Sequence, residues 1–297
     1  MHRLLLDVSS LMYRAFFAMG ETITSPAGRP VGALYGYLDM VTKLVVSRRP
    51  DEVVHVYDHE WRPVARTEIY PAYKHNRPED PEALPPQFSL LRAILDLTGM
   101  PQAMTRGWEA EDTIGALCSE ATDADRLEIV SGDRDLIQLV RDPVVKLLFT
   151  VRGVSELAEL DEAAVLERYG VPAHRYADFA ILRGDPSDAL PGVRGVGEKT
   201  ARALVAAYGS LEEMLADAAA PQPRPGPLRG KPALRARLRE STAYIRAMQT
   251  LVPVNASAPL DRWSGERDDE GLAELADELG LRGPITRLRA ALDLQAS

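Results

Sequence analysis

The side chains in this sequence that could do chemistry are aspartates and glutamates, which recur in short clusters. The clusters are Gly107-Trp-Glu-Ala-Glu-Asp-Thr, Gly132-Asp-Arg-Asp and Gly184-Asp-Pro-Ser-Asp. Glu109 and Asp112 are three residues apart, so they would share one face of a helix. Any one of these acids alone is best explained as a helix cap or a solvated surface group. As a set, they predict a site if the fold brings them together.

Converging carboxylates would favour one kind of chemistry. They repel one another and lose hydration, so their charged state is unfavourable unless cations are present. Hard oxygen ligands select Mg²⁺ or Mn²⁺ over softer metals. Two such ions about 3.5 to 4 Å apart can activate a water and stabilise the leaving oxygen of a phosphodiester. We therefore expect phosphodiester hydrolysis with two or more of these ions.

Three runs of the sequence are typical of buried strands, and each is followed by a carboxylate. Residues 3–6 precede Asp7, residues 52–57 precede Asp58, and residues 127–131 precede Asp133. Helical patterns at 31–46, 89–97 and 109–121 separate these runs. Alternating strands and helices predict a mostly parallel sheet covered on both faces. Ligands of such sheets gather beyond the carboxyl ends of the strands, where these aspartates lie.

The second half of the chain has a different pattern. After about residue 160 the strand signals stop, and short helices are predicted at 162–169, 174–182, 198–208 and 211–219. Residues 220–232 are rich in Pro, Arg and Gly and predict a flexible linker or loop. Helices are predicted again at 233–251, 269–279 and 285–294. We therefore expect an α/β catalytic domain over 1–170 and a helical module over 171–297.

Composition limits the class of protein. The 297 residues are 45% hydrophobic and carry a net charge of −9, and no apolar run is long enough to span a bilayer. Nine of the acids fall in the motifs, so cations bound there would bring the remaining charge to zero, which allows a nucleic-acid partner. The single cysteine, Cys118, cannot form an internal disulfide and suits a small buried apolar position. We expect a cytoplasmic, nucleoid-associated monomer without a membrane partner.

Several motifs occur in one order and resemble the 5′-nuclease family, which includes the N-terminal domain of bacterial DNA polymerase I, phage 5′-exonucleases and flap endonucleases. The resemblance covers residues 3 to about 216. Its motifs are Leu6-Asp-Val-Ser-Ser-Leu-Met-Tyr-Arg-Ala-Phe-Phe-Ala18, Tyr73-Lys-His-Asn-Arg77, the clusters at 107–113 and 132–136, and residues 184–201. The combination is highly specific for the family.

The resemblance implies a set of site residues. The metal-site carboxylates would be Asp7, Asp58, Glu109, Glu111, Asp112, Asp133, Asp135, Asp185 and Asp188. Lys74 and Arg77 would hold the scissile phosphate or the single-stranded 5′ arm. The sequence departs from the family pattern at Glu111, where Asp is usual, at Val8, where Gly is usual, and at Ala189, where Asn is usual. The carboxylate set is nevertheless complete.

A glycine-rich loop at 190–201 predicts a contact with nucleic-acid phosphates. Gly192, Gly195 and Gly197 would let the backbone approach a phosphate closely, and the helix that follows would present its N–H groups. The charged or polar neighbours are Arg194, Lys199 and Thr200. A dinucleotide fold is disfavoured because no strand precedes the loop, and Glu198 spoils a Walker A match. In the family, this element is a helix-turn-helix that grips the duplex backbone, often around a bound K⁺.

The resemblance implies that residues 66–88 form an arch beside the site. Arg66, Tyr73, Lys74 and Arg77 form a basic group flanked by prolines, which taken alone could equally be a solvated loop. The resemblance implies that these residues contact DNA, with Tyr73 stacking on a base. Arg14, just after Asp7, could also reach a phosphate.

The favoured hypothesis is a structure-selective 5′–3′ exonuclease and flap endonuclease. It would act on DNA with 5′ ends, flaps or nicks and on RNA primers, alone or recruited by a DNA polymerase. One alternative is a DNA-junction binding protein that barely cuts. A second alternative, a ribonuclease of the related PIN group, is disfavoured by the arch and the helix-turn-helix, which small PIN ribonucleases lack.

Overall fold

A mostly parallel sheet forms the centre of the structure, a computed structural model that describes residues 1–296. Over those residues the strands are β1 His2–Asp7, β2 Glu52–Val56, β3 Gln102–Met104, β4 Arg126–Ser131, β5 Val145–Arg152, β6 Glu156–Leu160 and β7 Asp261–Trp263. Their order is β6-β5-β4-β1-β2-β3-β7. Strands β1 to β5 pair in parallel, whereas β6 and β7 run antiparallel at the two edges. The predicted fold class is confirmed.

The three strands predicted from the sequence are β1, β2 and β4, at the middle of this sheet. Strand β7 shows that the expectation of no strand after about residue 160 was wrong. This strand is the tripeptide Asp-Arg-Trp, which pairs with β3 through Gln102 and Trp263. Three residues are too few for an alternating pattern to emerge, so the partner strand rather than the local sequence defines β7.

Helices cover both faces of the sheet. Those within the first 170 residues are α1 Val8–Met19, α2 Gly32–Arg48, α3 Val64–Ile69, α4 Pro85–Thr98, α5 Ala110–Ser119 and α6 Glu162–Tyr169. Alternation along β1 divides the core: Leu4 and Leu6 pack with Leu34 of α2, whereas Leu5 packs with Ile114 of α5 on the other face. Cys118 is buried in α5, as predicted, and burial raises the pKa of its thiol to about 12.

Short helices follow from residue 176 onward: α7 Tyr176–Arg183, α8 Glu198–Ala207, α9 Leu211–Ala219, α10 Pro232–Glu240 and α11 Thr242–Leu251. The helical stretch predicted over 233–251 consists of two helices, α10 and α11, that meet at Ser241. Residues 220–231 contain no helix or strand, as expected, but they are anchored. Leu228 is fully buried, and the Arg224 guanidinium lies 4.2 Å from the centre of the Tyr208 ring.

The last two helices return to the sheet. Helices α12 Asp269–Leu279 and α13 Arg282–Ala296 pack against α4 and α2, so Leu279 and Leu288 share a core with Leu34 and Leu91. Residues from β7 onward therefore lie with the α/β layer, although the sequence grouped them with the helical module. None of the helices described combines the length and apolar character required to cross a membrane.

Candidate metal and nucleic-acid site

The carboxyl ends of three adjacent parallel strands place Asp7, Asp58 and Asp133 at one edge of the sheet. Asp7 ends β1 and caps α1, where its Oδ1 accepts a hydrogen bond from the Ser10 N–H at 3.0 Å. Asp58 follows β2, and its Oδ1 accepts from the Ala110 N–H at 2.8 Å. The strand pattern therefore predicted this convergence correctly.

The start of α5 supplies the next carboxylates. Glu109 precedes the helix and forms a capping box with Asp112. The Glu109 side chain accepts a hydrogen bond from the Asp112 N–H, and the Asp112 side chain accepts one from the Glu109 N–H. Asp112 also accepts from the Asn255 N–H at 2.8 Å. Glu109 and Asp112 thus cap the helix, as their spacing alone suggests. Glu111, in the same turn, takes no part in the capping box and lies near acids from another motif.

Glu111 is shared by two groups of carboxylates. One group is Glu109, Glu111 and Asp112, and the other is Glu111, Asp133 and Asp135. In each group, one carboxylate oxygen per residue lies within 4.8 Å of the others. Acids from two sequence motifs that are more than twenty residues apart therefore meet at Glu111, the position where this chain has Glu in place of the usual Asp.

A cavity of about 1480 Å³ opens onto these groups. Seven of the predicted carboxylates line it, namely Asp7, Asp58, Glu109, Glu111, Asp133, Asp185 and Asp188, and so do the acids Glu79 and Asp80. Asp112 and Asp135 complete the expected set, each within 4.8 Å of Glu111 through the carboxylate groups just described. The structure brings the nine predicted carboxylates to one region, but whether each one binds metal stays a prediction.

The pKa values of several of these acids show the effect of crowding. Burial, with the nearby charge of Asp58, raises the pKa of Asp7 to about 7. Burial and Glu111 raise the pKa of Asp133 to about 6. Burial, Asp133 and Glu111 raise the pKa of Asp135 well above its ordinary value. Ionised together, these oxygens need positive charge nearby, and an all-carboxylate set fits a hard divalent cation.

Arg66 was expected to contact nucleic acid, and the structure shows that this was wrong. Its side chain is only 3% exposed and pairs with Glu109, with Glu111 at 2.6 Å and with Asp112 at 2.9 Å. Carboxylates that are buried together are unfavourable without a nearby cation. One guanidinium can donate hydrogen bonds to all three of these carboxylates. Arg66 is therefore an internal counter-ion of the site.

Tyr73 was expected to stack on a base, which was also wrong. The ring is 2% exposed, and its hydroxyl donates to Oε2 of Glu109 at 2.8 Å. Lys74 is buried beside it, pairs with Glu109, and has its Nζ 4.0 Å from Asp188. Lys74 lines the cavity, so a role for it at the scissile phosphate stays a prediction.

The segment predicted as an arch folds over the 185–188 turn. The Lys74 N–H donates to the Asp188 carbonyl oxygen at 3.1 Å, and Asn76 Nδ2 donates to the Pro186 carbonyl oxygen at 2.8 Å. Arg77 pairs with Asp188 at 2.9 Å and keeps more than a third of its side chain exposed at the cavity. Arg77 is thus a lining cation that solvent and ligand can reach.

Sequence reasoning missed several residues around the cavity. Ser131 Oγ donates to Oδ2 of Asp7 at 2.5 Å, and Ser9 donates to Asp58. Arg134 and Arg168 also line the cavity, together with the predicted Arg14. The position of Arg134 between Asp133 and Asp135 was a usable signal, whereas nothing in the sequence around Arg168 connects that side chain to the site.

The glycine-rich loop lies between α7 and α8. Gly192 and Gly195 have left-handed backbones, with φ of 67° and 74°, and Gly197 precedes α8 with φ of −88°. Arg194 and Lys199 are exposed, and Thr200 is partly buried. The structure thus has two helices flanking the predicted loop, and the contact of this element with DNA stays a prediction.

Comparisons with known proteins match both the sheet domain and the helical segment that follows it. Residues 2–170 match the family model described as 5′-3′ exonuclease, N-terminal resolvase-like domain, and residues 171–267 match 5′-3′ exonuclease, C-terminal SAM fold. A 5′-3′ exonuclease of Mycobacterium tuberculosis is 40% identical over 97% of both chains. DNA polymerase I of Mycobacterium bovis is 36% identical over 94% of this chain and 30% of its own length.

Solved structures share the fold at lower identity. T5 5′-exonuclease with bound divalent zinc ions is 20% identical, with a TM-score of 0.65 over 98% of both chains. Flap endonuclease-1 from Methanococcus jannaschii is 16% identical, with a TM-score of 0.65 over 99% of this chain and 93% of its own. With both family models matched and a relative at 40% identity over nearly its full length, the chain belongs to the 5′-3′ exonuclease family.

Proposed function

We propose that the chain is a metal-dependent, structure-selective 5′–3′ exonuclease and flap endonuclease. Its substrates would be DNA with 5′ ends, nicks or 5′ flaps, and RNA primers paired to DNA. The observation that carries the proposal is the meeting of carboxylates from separate motifs at Glu111, at the open end of a parallel sheet. Family membership supports it, because the relatives of similar length bear the name 5′-3′ exonuclease.

The metal ions would be held where the carboxylates meet at Glu111, mainly by the group of Glu111, Asp133 and Asp135, because Arg66 already pairs with Glu109, Glu111 and Asp112. Oxygen-only ligands favour Mg²⁺ or Mn²⁺. When bound, such ions lower the pKa of a coordinated water and stabilise charge on the phosphodiester oxygens. The raised pKa values of Asp133 and Asp135 support this assignment, since a bound cation would relieve the repulsion that raises them.

Cationic side chains at the cavity would bind the substrate phosphates. Arg77 and Lys74 lie on the side of Asp188, and Arg14 and Arg134 lie on the side of Asp7 and Asp133. One guanidinium can bind two oxygens of a phosphate at once. Such contacts would orient the DNA strand on both sides of the scissile bond. Arg66 would instead keep Glu109, Glu111 and Asp112 in place from behind.

Duplex DNA would bind at the glycine-rich loop, outside the cavity. The open backbone at Gly197 and the cations Arg194 and Lys199 support contacts with phosphates that carry no sequence information. A K⁺ ion at this loop, action as a monomer and recruitment by a DNA polymerase belong to the same proposal. The match to part of DNA polymerase I supports the last of these, because a relative of that name contains a segment similar to this chain within its own longer sequence.

Cleavage assays on defined substrates test the proposal. Purified protein is incubated with 5′-labelled flap, nicked duplex and single-stranded DNA, in Mg²⁺, in Mn²⁺ or in chelator. We expect cutting of 5′-ended and flapped DNA in metal and none in chelator. Tight binding to junctions without cutting in either metal would favour the alternative of a DNA-junction binding protein.

Variants of the acidic groups make the assay specific. Asp133→Ala should abolish cutting while preserving DNA affinity, and Asp123→Ala, which removes an exposed acid of the loop before β4, is the matched control. Lys199→Glu should instead weaken duplex binding and reduce its salt dependence. Cleavage retained in Asp133→Ala would refute the assigned site.

A further inference from the structure

We propose that Arg237 of α10 binds a phosphate of the same DNA duplex as the glycine-rich loop. Arg194, Lys199 and Arg237 would then form one surface, called here the basic surface. This inference rests on the proposed function, because it names a further contact to the duplex that the nuclease holds. It brings into the DNA interface a helix that neither the acidic motifs nor the glycine-rich loop includes.

The first observation is the position of the guanidinium. A Cβ atom built on Gly195 would collide with Nη1 of Arg237, so the tip of this side chain lies directly against the backbone of the loop. Gly195 has φ of 74°, which already favours glycine there, and the space beside it is filled by Arg237 rather than by solvent alone. Helix α10 and the loop therefore present one continuous surface.

The second observation is the absence of acidic partners. Arg194, Lys199 and Arg237 are exposed, and within residues 1–296 no carboxylate lies within 4.0 Å of their charged nitrogens. Three other arginines of the helical segment do pair, Arg202 with Glu198, Arg224 with Glu213 and Arg246 with Glu212, whereas Arg229 and Arg239 are exposed without an ion pair within the described residues. Glu198, the acid nearest in sequence to Lys199, is therefore already engaged by another side chain.

The chemistry of the surface fits a phosphate backbone. Three cations without counter-ions repel one another, and a chain of net charge −9 has ample acids that could have neutralised them. A duplex offers closely spaced phosphates, and the guanidinium of Arg237 could bind one in bidentate fashion. The backbone at Gly197 is open, because no atom lies within 4 Å of where its Cβ would be. A phosphate of an extended polyanion could therefore contact this backbone directly, which favours DNA over an acidic protein as the partner.

Helix α10 supplies its own control. Leu234 and Leu238 are buried, so the helix has a defined inner face. Arg239 is also exposed and unpaired within the described chain, but it lies about 200° around the helix from Arg237, on the other side of Leu238. Arg235 is unsuitable as a control, because its Nε donates to the Ala218 carbonyl oxygen at 3.2 Å and the side chain supports the fold.

The test measures binding without cleavage. Fluorescence anisotropy in chelator follows the binding of wild type, Arg237→Gln and Arg239→Gln to labelled nicked duplex over about 50 to 200 mM KCl. We expect Arg237→Gln to weaken binding about three- to tenfold and to lower the slope of log affinity against log salt by about 1. Arg239→Gln should bind as wild type does, and thermal melting should show that both variants are folded.

Two outcomes would overturn the inference. Equal losses of affinity in Arg237→Gln and Arg239→Gln would show a general effect of net charge. No loss in Arg237→Gln would show that the residue does not touch DNA, and an acidic protein would then be the partner of this surface. If Lys199→Gln weakens binding while Arg237→Gln does not, the proposed function stands and the inference fails. Salt-dependent binding that needs Arg237, without cutting in any metal, would refute the nuclease and keep the inference.

Discussion

Arg66 joins the acidic site to the end of α11 through Leu251. Its Nε donates to the Leu251 carbonyl oxygen at 3.3 Å, while its Nη2 pairs with Glu111 and Asp112. One side chain from α3 therefore connects the first turn of α5 to the last residue of α11. The position of the carboxylates thus depends on the packing of the helical segment as well as on the sheet.

Replacing Arg66 should destabilise the whole protein. Arg66→Gln leaves the carboxylates of Glu109, Glu111 and Asp112 with one cation fewer, and breaking a buried ion pair costs about 3 to 5 kcal/mol. We expect urea unfolding at pH 7.5 in chelator to show a loss of this size. Arg66→Lys should recover part of it, because the charge returns but the forked geometry does not.

The control for this change is Arg62→Gln. The Arg62 guanidinium is also partly buried near the site, but its Nε donates to the Tyr73 carbonyl oxygen at 2.7 Å rather than to a carboxylate. Its loss should cost about 1 kcal/mol. Similar small losses for Arg62→Gln and Arg66→Gln would show that Arg66 is not the counter-ion we infer.

Asp135→Asn should stabilise the metal-free protein while it removes activity. The pKa of Asp135 is raised, so the ionised carboxylate costs folding free energy once the pH exceeds the ordinary aspartate value, and the cost is fully present above the raised pKa. A neutral amide of similar shape avoids that cost. At pH 8 in chelator we expect a gain of about 1 kcal/mol or more, the equivalent of one pKa unit.

Two further measurements complete this prediction. The gain should shrink as the pH falls toward 4, because the carboxyl of the folded wild type is then protonated and that of the unfolded chain is about half protonated. Added Mg²⁺ should stabilise wild type more than the variant. Calorimetric melting of both proteins over this pH range measures each effect. A variant less stable than wild type at pH 8 in chelator would show that the crowding of Asp133 and Asp135 is not unfavourable.

Much of the site could be predicted because short local patterns determine it. A strand followed by Asp is visible in sequence, and parallel pairing then places Asp7, Asp58 and Asp133 at one edge. The burial of Arg66 and Tyr73 could not be predicted in the same way. A basic group near prolines looks the same in sequence whether it faces solvent or the carboxylates of α5, and only the packing of α3 on α11 decides between them.

The fold shows the same limit. The helix pattern predicted the bounds of α12 closely, but amphipathic spacing does not say which surface the apolar face covers. Leu272 and Leu279 pack with α4 next to the sheet, although sequence order suggested the helical module. The tripeptide β7 has the same origin, because the strand exists through its pairing with β3 and not through its own residues.

Two of the three glycines of the loop, Gly192 and Gly197, should respond differently to substitution. Gly192→Ala would place a Cβ 2.5 Å from the Gly184 nitrogen and 2.6 Å from the Arg183 carbonyl carbon, at a φ of 67°. We expect a loss of about 2 kcal/mol or more in unfolding free energy from the left-handed backbone and the clash together. A Cβ atom at Gly197 meets no atom within 4 Å, and Thr is as good as Gly at a helix N-cap, so the stability of Gly197→Thr should stay within about 0.5 kcal/mol of wild type.

In DNA binding we expect the order of the two substitutions to be reversed, with the larger effect at Gly197. At Gly197 the threonine side chain would stand where the proposed phosphate approaches and would cap the N–H groups of α8 itself. We expect duplex affinity of Gly197→Thr to fall several-fold, measured by anisotropy in chelator, with normal melting. Unchanged affinity in this variant would argue that the phosphate does not approach the loop at Gly197.

The core of the sheet should contribute a measurable acid sensitivity through His55. This histidine is fully buried, its Nδ1 lies 2.6 Å from the Tyr37 hydroxyl, and its Nε2 has no hydrogen-bond partner within the described chain. Burial lowers its pKa from 6.5 to about 3. Because the folded pKa lies below the unfolded one, the unfolded state gains protons first, and stability is lost as the pH falls from 6.5 toward 3.

His55→Gln keeps a polar partner for Tyr37 but does not titrate. Between pH 7.5 and pH 5, wild type should lose about 2 kcal/mol more unfolding free energy than the variant, a difference that arises almost wholly from protonation of the unfolded histidine. Urea unfolding at both pH values measures it, and His174→Gln, which replaces an exposed histidine, controls for the substitution itself. Parallel losses for wild type and His55→Gln would mean that His55 is charged in the folded protein, which a fully buried ring without an acidic partner should not be.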